Sequence, residues 1–228
     1  MTRSSAPRKS NPPPDPQPAA PYPNPVLGRV NAAFFSSMNW YMHWKYRARK
    51  ARLFAELPEH VVELGAGAGA NFRYLRPGTT VTAIEPNPHM HRALHRNARR
   101  HGVDLEIRGV GAEGIELPDA SVELVVCSLV LCTVDDPDEV LREVLRVLAP
   151  GGRFICIEHV AAPEHSALLT LQRLIYRPWK WFFEGCHTHR DTARTLEASG
   201  FSRVEIEAFT WRSAFLPVRP QIAAICTK

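Results

Sequence analysis

Residues 61–69 read Val-Val-Glu-Leu-Gly-Ala-Gly-Ala-Gly, and residues 81–85 read Val-Thr-Ala-Ile-Glu. Each run starts as an apolar strand; the first continues into a glycine-rich turn and the second ends on the carboxylate of Glu85. Such a turn lets the backbone approach a ligand closely, and a carboxylate about twenty residues further on can accept hydrogen bonds from ribose hydroxyls. The two stretches therefore predict a nucleoside-cofactor site.

The identity of the cofactor depends on Glu63. Gly65, Gly67 and Ala70 also satisfy the dinucleotide pattern G-x-G-x-x-A, so the glycines alone leave a nicotinamide cofactor open. Glu63 stands two residues before the first glycine, where its carboxylate would repel a pyrophosphate but can contact a cationic amino-acid group. This favours S-adenosylmethionine, whose tail carries an ammonium and a sulfonium. At this point the sequence resembles the class I methyltransferases, which share an acidic residue followed by x-G-x-G-x-G.

The rest of the chain alternates between helix and strand, which implies right-handed crossovers and a parallel sheet covered on both faces. Two late strands with no helix between them predict an antiparallel pair. The expected fold class is α/β, a Rossmann-like doubly wound sheet, mostly parallel, with an antiparallel C-terminal hairpin. The expected strands cover about 60–64, 80–85, 103–108, 121–129, 152–158, 201–209 and 221–226, and the expected helices 69–76, 88–101 and 137–148.

Composition divides the chain into a tail and one domain. Residues 1–25 hold nine of the 20 prolines and predict a disordered tail, because proline lacks the N–H donor that regular structure needs. The methyltransferase domain is expected over residues 26–228. Within it, residues 26–57 predict a helical lid with one or two breaks, and residues 161–189 an insertion that caps the substrate. The tail has no apolar core, so it predicts neither a signal peptide nor a membrane span.

Charge and cysteine usage limit the partners and the compartment. The formal net charge of +5 is diffuse, so no nucleic-acid partner is expected. The spacing of the five cysteines does not match a framework of disulfide bonds, which predicts free thiols in a reducing compartment. A cytoplasmic location follows, with peripheral contact to a membrane surface as an option.

Ten residues are expected to hold S-adenosylmethionine. They lie in the glycine turn, at the end of the second strand, in the segment after the third strand and at the end of the fourth. The segment after the third strand resembles the adenine-contact segment of the methyltransferases, with backbone N–H groups facing the ring. The ten are Glu63, Gly65, Ala66, Gly67, Glu85, Pro86, Asn87, Ala112, Glu113 and Ser128.

A narrower resemblance covers most of residues 60–228. The stretches Val-Cys-Ser-Leu-Val-Leu-Cys (126–132), Glu-His-Val-Ala-Ala (158–162) and Glu-Gly-Cys (184–186) are similar to the membrane-associated thiol S-methyltransferases of the methyltransferase-like group. The resemblance implies methyl transfer to a small hydrophobic acceptor, with a thiol favoured. Those relatives begin with a hydrophobic membrane anchor, whereas this chain begins with a polar, proline-rich tail.

His159 is the leading catalytic candidate, because it follows the fifth strand and an imidazole can take the proton of a thiol or stabilise its thiolate. Glu158 could orient that ring, although such a carboxylate more often caps or pairs. Arg190 is a candidate substrate contact, with helix capping as the alternative for its segment. Cys186, His187 and His189 lack a fourth ligand in any recognisable metal pattern, so no metal is expected.

The sequence is also compatible with other functions. In residues 34–52 aromatic and basic side chains interleave, which predicts a lid over the cofactor or a helix lying on a membrane surface. The acceptor could also be a quinone or phenol, methylated on oxygen or carbon, or the amine of a lipid. From a different class, the chain could be an RNA-binding protein that retains the cofactor fold.

Overall fold

The computed structural model describes residues 24–210 and 215–228. The predicted tail lies outside these residues except for its last two, and the first helix begins at Pro25 with the Asn24 side chain accepting from the Leu27 backbone N–H at 3.0 Å. Helix α1 then runs unbroken over Pro25–Leu53. The prediction of breaks was wrong: no proline follows Pro25 in this segment, so each later residue up to Leu53 can keep its helical N–H donor.

A seven-stranded sheet in the order β3-β2-β1-β4-β5-β7-β6 forms the centre of the domain. Strands β1 to β5 pair in parallel, and β7 runs antiparallel to both β5 and β6. The fold class predicted from the alternation is confirmed. The strands are β1 (His60–Leu64), β2 (Thr80–Ile84), β3 (Asp104–Arg108), β4 (Val122–Ser128), β5 (Leu148–His159), β6 (Arg203–Thr210) and β7 (Pro220–Thr227).

Helices cover the sheet on both faces, as expected for crossover connections. One predicted helix is absent: residues 69–76 form turns and a short 3-10 helix over Phe72–Tyr74. The left-handed φ of Gly69 (76°) and the extended conformation of Leu75 interrupt the helical path there. The remaining helices are α2 (Pro88–His101), α3 (Pro137–Val147), α4 (Ala167–Phe182) and α5 (Thr192–Ala198).

The main core lies between the sheet and the helices after β4, where Val125, Phe154 and Val144 are fully buried. Strand β5 begins at Leu148, earlier than predicted, because its pairing with β4 shifts register between Val122 and Leu124 and carries the Pro-Gly-Gly turn inside the strand. This core fixes the carboxyl ends of β1, β2, β4 and β5 along one edge of the sheet. Every predicted site residue that follows a strand lies along that edge.

Candidate active site

The glycine turn after β1 provides a surface that a nucleoside can approach. Gly65 and Gly67 both have left-handed φ values, 56° and 54°, which glycine adopts without steric cost. A side chain at Gly65 would collide with Val130, so this position requires glycine. At Gly67 an added Cβ would meet nothing nearer than the Gly65 carbonyl oxygen, 4.0 Å away. Open space therefore lies over the turn, and the backbone there fits a nucleoside cofactor.

Glu85 lies directly after β2 and is 6% exposed. Its Oε2 accepts a hydrogen bond from the Gly67 backbone N–H at 2.7 Å, and its Oε1 accepts one from the Asn87 backbone N–H at 2.9 Å. Burial raises the pKa of Glu85, while these two backbone donors oppose the rise. Each oxygen keeps a free lone pair, so the carboxylate can still accept from ribose hydroxyls. Two further residues expected at the cofactor lie next to these groups: Ala66, within the glycine turn, is buried, and Pro86, directly after Glu85, is exposed.

Glu63 belongs to a buried polar chain that the sequence did not reveal. Its Oε1 accepts from Asn71 Nδ2 at 2.8 Å, and Asn71 Oδ1 accepts from Lys50 Nζ at 2.5 Å. Burial raises the pKa of Glu63 to about 7, against the opposing charge of Lys50. Burial also lowers the pKa of Lys50 to about 8, against the charge of Glu63. An acid and a base, both buried, thus lie where the amino-acid end of the cofactor is expected.

Asn87 connects the cofactor strands to their cover. Its Nδ2 donates to the Gly28 carbonyl oxygen of α1 at 3.1 Å and reaches Glu184 Oε1 at 3.5 Å, and its Oδ1 caps α2 through the His89 N–H. Asn31 of α1 donates to the Phe182 carbonyl oxygen of α4 at 2.8 Å. Helix α1 and the segment around α4 therefore form one cover over the edge of the sheet.

The three other expected cofactor residues lie near the same edge. Ala112 is 5% exposed and packs in the main core, so its backbone is the part that can face a ligand. Glu113 follows it and is half-buried. Ser128 ends β4, and its Oγ accepts from Asn71 Nδ2 at 3.3 Å. Ser128 thus joins the polar chain that contains Glu63.

Glu158 organises the loop that follows β4. Its side chain is fully buried, and its two oxygens accept from the backbone N–H groups of Val130 (2.8 Å), Leu131 (3.1 Å) and Cys132 (3.2 Å). Burial raises the pKa of this carboxyl, and the Val130 N–H is the largest opposing influence. Leu129, at the start of the loop, has a left-handed φ of 60°. Glu158 therefore pairs with backbone, as such carboxylates usually do, and holds a strained loop in place.

His159 lies at the end of β5, 3% exposed, and its Nε2 is 3.0 Å from Cys186 Sγ. Trp179 Nε1 donates to the same sulfur at 3.2 Å, and the ligand-type atoms of Cys132, His159 and Cys186 all lie within 4.8 Å of one another. Burial alone would lower the pKa of His159, but the charge and the hydrogen bond of Cys186 raise it above its ordinary value. The structure thus joins His159 to two thiols from distant parts of the chain.

Arg190 and the histidines His187 and His189 lie in the segment between α4 and α5 that also carries Cys186. Arg190 Nη1 donates to the carbonyl oxygens of Leu131 (2.5 Å) and Val134 (2.7 Å), so it clamps the loop after β4; a contact with substrate stays a prediction. His187 Nδ1 pairs with the hydroxyl of Tyr176 at 3.2 Å. Cys186 is therefore grouped with Cys132 and His159, and not with His187 or His189.

Helix α1 contacts Asn87 and the α4 segment beside the site, and two surface pockets lie away from it. One pocket, lined by Glu56, Arg76 and Arg153, lies at the opposite edge of the sheet. Another lies between α1 and α2, lined by Arg29 and Arg92. Neither of these two pockets is lined by Glu63 or Glu85.

Comparison with known proteins agrees with the class that this geometry defines, an S-adenosylmethionine-dependent methyltransferase. The family model described as a methyltransferase domain matches residues 62–156. A solved SAM-dependent methyltransferase from Thermotoga maritima superposes with a TM-score of 0.66 over 89% of this chain and 99% of that one. At 20% identity this likeness shows a common fold alone. The family match, together with the curated relatives described next, shows that the protein is an enzyme of this class that uses S-adenosylmethionine.

Curated relatives narrow the class. Thiol S-methyltransferase TMT1B of Rattus norvegicus is 37% identical over 199 residues, which cover 81% of this chain and 80% of the relative. The chain belongs to the thiol S-methyltransferase family. The ubiquinone/menaquinone biosynthesis C-methyltransferase UbiE of Rubrivivax gelatinosus is 32% identical, but over 123 residues that cover 53% of this chain and 48% of that relative.

Proposed function

We propose that this enzyme transfers the methyl group of S-adenosylmethionine to the sulfur of a small hydrophobic thiol. One observation carries the proposal: the imidazole of His159 lies 3.0 Å from the Cys186 sulfur, buried at the end of β5 beside the loop that follows β4. Ligands of open α/β sheets bind at these strand ends. A buried imidazole there that already pairs with one sulfur is chemically suited to pair with another.

The cofactor is held, in this proposal, by both ends. Glu85 accepts hydrogen bonds from the ribose hydroxyls, and the backbone of the glycine turn, Gly65 to Gly67, lies against the nucleoside. The backbone of Ala112 and Glu113 faces the adenine. The other three expected residues, Ser128, Pro86 and Asn87, lie at the edges of the cofactor site. At the amino-acid end, Glu63 faces the ammonium. Lys50, which reaches the same polar chain through Asn71, faces the carboxylate. When bound, S-adenosylmethionine supplies an electrophilic methyl group on a sulfonium.

His159 acts on the acceptor. Methyl transfer is an in-line displacement, so the enzyme has to position the acceptor sulfur and keep it deprotonated. A thiol that enters beside His159 transfers its proton to the His159–Cys186 pair, and the imidazolium stabilises the thiolate that results. Glu158 and Arg190 support this geometry by fixing the loop that carries Cys132.

The cover favours an apolar acceptor. Trp179 packs against Phe183 with ring centroids 4.3 Å apart, and Phe34 of α1 contacts Phe183 and Phe215 at 5.8 and 6.3 Å. An aromatic cluster of this kind binds hydrophobic molecules and excludes water from the thiolate, which strengthens its pairing with the imidazolium. A quinone, a phenol or a lipid amine would also find apolar surface here, but none of them uses the imidazole–thiol pair as directly.

The test is incubation of the full chain with methyl-labelled S-adenosylmethionine and matched acceptors. Each hydrophobic thiol is paired with the phenol and the amine of the same carbon skeleton, so that only the acceptor atom differs. We expect label in the thioether alone. Label in the phenol ether, the amine or a carbon position, with none in the thioether, would replace the thiol by the corresponding alternative.

We also propose peripheral contact with a membrane surface. One face of α1 exposes four large apolar side chains, among which Trp40 is 74% exposed. The four are Val26, Val30, Trp40 and Trp44. Leu174 and Trp181 of α4 are exposed as well. Tryptophans beside basic residues suit a helix in the headgroup region. No helix within residues 24–210 and 215–228 combines the length and the apolar character needed to cross a bilayer.

A further inference from the structure

The cluster at the end of β5 contains two thiols, and one of them is surrounded by donors. The Cys186 sulfur accepts from the Trp179 indole, which can only donate, at 3.2 Å and pairs with His159 at 3.0 Å. Hydrogen bonding from Cys132 and the charge of His159 lower the pKa of Cys186 well below its usual range, against the effect of burial. Cys186 therefore has the surroundings of a reactive thiolate.

Cys132 lies close enough to react with it. The backbone N–H of His187 donates to the Cys132 carbonyl oxygen at 2.7 Å, so the segment that carries Cys186 runs directly beside the loop that carries Cys132. Gly185 contacts the same loop so closely that an added Cβ would lie 2.7 Å from the Thr133 carbonyl oxygen. Because the two sulfurs already lie within 4.8 Å of each other, side-chain rotation with a small backbone adjustment can bring them to bonding distance.

We propose that Cys186 and Cys132 form a reversible disulfide by exchange with a low-molecular-weight disulfide, and that this bond switches off methyl transfer. The effect on activity rests on the proposed function; the bond itself does not. The disulfide form of an acceptor thiol is one such oxidant. Oxidation would remove the thiolate partner of His159 and would tie the cover to the loop after β4.

The exchange balances in two steps. The Cys186 thiolate attacks one sulfur of RSSR, the S–S bond of RSSR breaks, and RS⁻ leaves with the proton of the His159 imidazolium as RSH. His159, neutral after the first step, takes the Cys132 proton; the Cys132 thiolate then attacks the Cys186 sulfur, the mixed disulfide breaks, and the second RS⁻ leaves with that proton as RSH. Two electrons pass from the protein thiols to RSSR.

The other cysteines provide an internal control. Cys127, Cys156 and Cys226 lie within β4, β5 and β7 and are buried. Burial raises the pKa of Cys127 and Cys156 well above the usual range and that of Cys226 to about 12. Burial raises the pKa of Cys132 as well, but Cys132 attacks a mixed disulfide whose Cys186 sulfur lies within 4.8 Å of its own. The three strand cysteines would have to start the exchange themselves, and thiols of such raised pKa are poor nucleophiles, so they should stay reduced.

The experiment treats the full chain with glutathione disulfide, blocks the remaining thiols with an alkylating reagent and maps the peptides by mass spectrometry. We expect a Cys132–Cys186 cross-link that dithiothreitol reverses. Cys132→Ser should accumulate a mixed disulfide at Cys186, Cys186→Ser should form neither product, and Cys226→Ala should cross-link as the wild type does.

At pH 6.5, thiol methylation should fall by about 10- to 60-fold at full cross-linking, the loss expected when His159 no longer pairs with the acceptor sulfur, and it should recover on reduction. An unmodified Cys186, a different cross-linked pair, or stoichiometric zinc bound in the purified chain would overturn the proposal. A cross-link in a chain that methylates no thiol would keep the redox chemistry and refute the proposed function. Thiol methylation that persists after full cross-linking would leave the proposed function intact and refute the switch.

Discussion

Replacement of His159 by alanine should produce a loss of activity that depends on pH. A hydrogen bond to a charged group contributes about 1.5–3 kcal/mol. The imidazole lies 3.0 Å from the sulfur that it now contacts. At that distance from an acceptor sulfur, His159 should lower the thiol pKa by about 1 to 2 units, because one unit corresponds to about 1.4 kcal/mol.

The pH dependence follows from this shift. A free thiol with a pKa of about 8.5 is about 1% thiolate at pH 6.5 and about 50% thiolate at pH 8.5. The His159→Ala variant should therefore be about 10- to 60-fold slower than the wild type at pH 6.5 and only about twofold slower at pH 8.5. The direction is fixed: the deficit shrinks as pH rises, because solvent then removes the proton that His159 no longer helps to remove.

The assay is single-turnover methylation of one aliphatic thiol and one more acidic aromatic thiol between these two pH values. The aromatic thiol should show a smaller deficit at every pH, because more of it ionises unaided. Calorimetric binding of S-adenosylhomocysteine shows that the variant is folded, and His187→Ala serves as the neighbouring histidine control with an unchanged profile. A deficit that is equal at all pH values, or no deficit, would leave His159 with a structural role only.

Further changes test the cofactor contacts and the membrane contact. Glu85→Ala should weaken S-adenosylmethionine binding by about 10- to 150-fold for each ribose hydrogen bond lost, as about 1.5–3 kcal/mol implies, and an unchanged affinity in calorimetry would refute the cofactor geometry. Lys50→Met should lower the affinity for S-adenosylmethionine about tenfold or more, yet leave the affinity for decarboxylated S-adenosylmethionine nearly unchanged; equal losses for both ligands would exclude the carboxylate contact. In flotation with anionic vesicles the wild type should bind and be released by salt, and the double variant Trp40→Ala/Trp44→Ala should bind more weakly; binding that resists high salt and yields only to detergent would contradict peripheral attachment.

The sheet and the glycine turn could be predicted because their signals are local. Apolar β-branched runs and left-handed glycines act over a few residues, so Val61–Leu64 and Gly65–Gly67 identify a strand and a turn without knowledge of the rest. The same local reasoning predicted a helix over residues 69–76, where the left-handed φ of Gly69 prevents one.

The acceptor side could be predicted only in part, because it depends on contacts between distant segments. His159 was expected from its place after β5, but Cys132 and Cys186 reach it from a loop and from the cover. The motifs that contain these cysteines were the available signal, and they pointed to a family and not to a cluster. Lys50 gave no signal at all, since its spacing does not distinguish it from the exposed Arg47 and Arg52 on the same helix.

A competition between two acceptor atoms on one molecule measures directly whether sulfur receives the methyl group. An aromatic acceptor that carries a thiol and a hydroxyl on the same ring is incubated with the enzyme and S-adenosylmethionine labelled with carbon-13 in the methyl group, and the product is read by NMR, where S-methyl and O-methyl carbons resonate far apart. We predict label on sulfur alone, both in the wild type and in His159→Ala, where an aromatic thiol that ionises unaided should lose less of its sulfur product than an aliphatic thiol does. Label on oxygen or on a ring carbon in the wild-type reaction would contradict the proposed methylation of thiols.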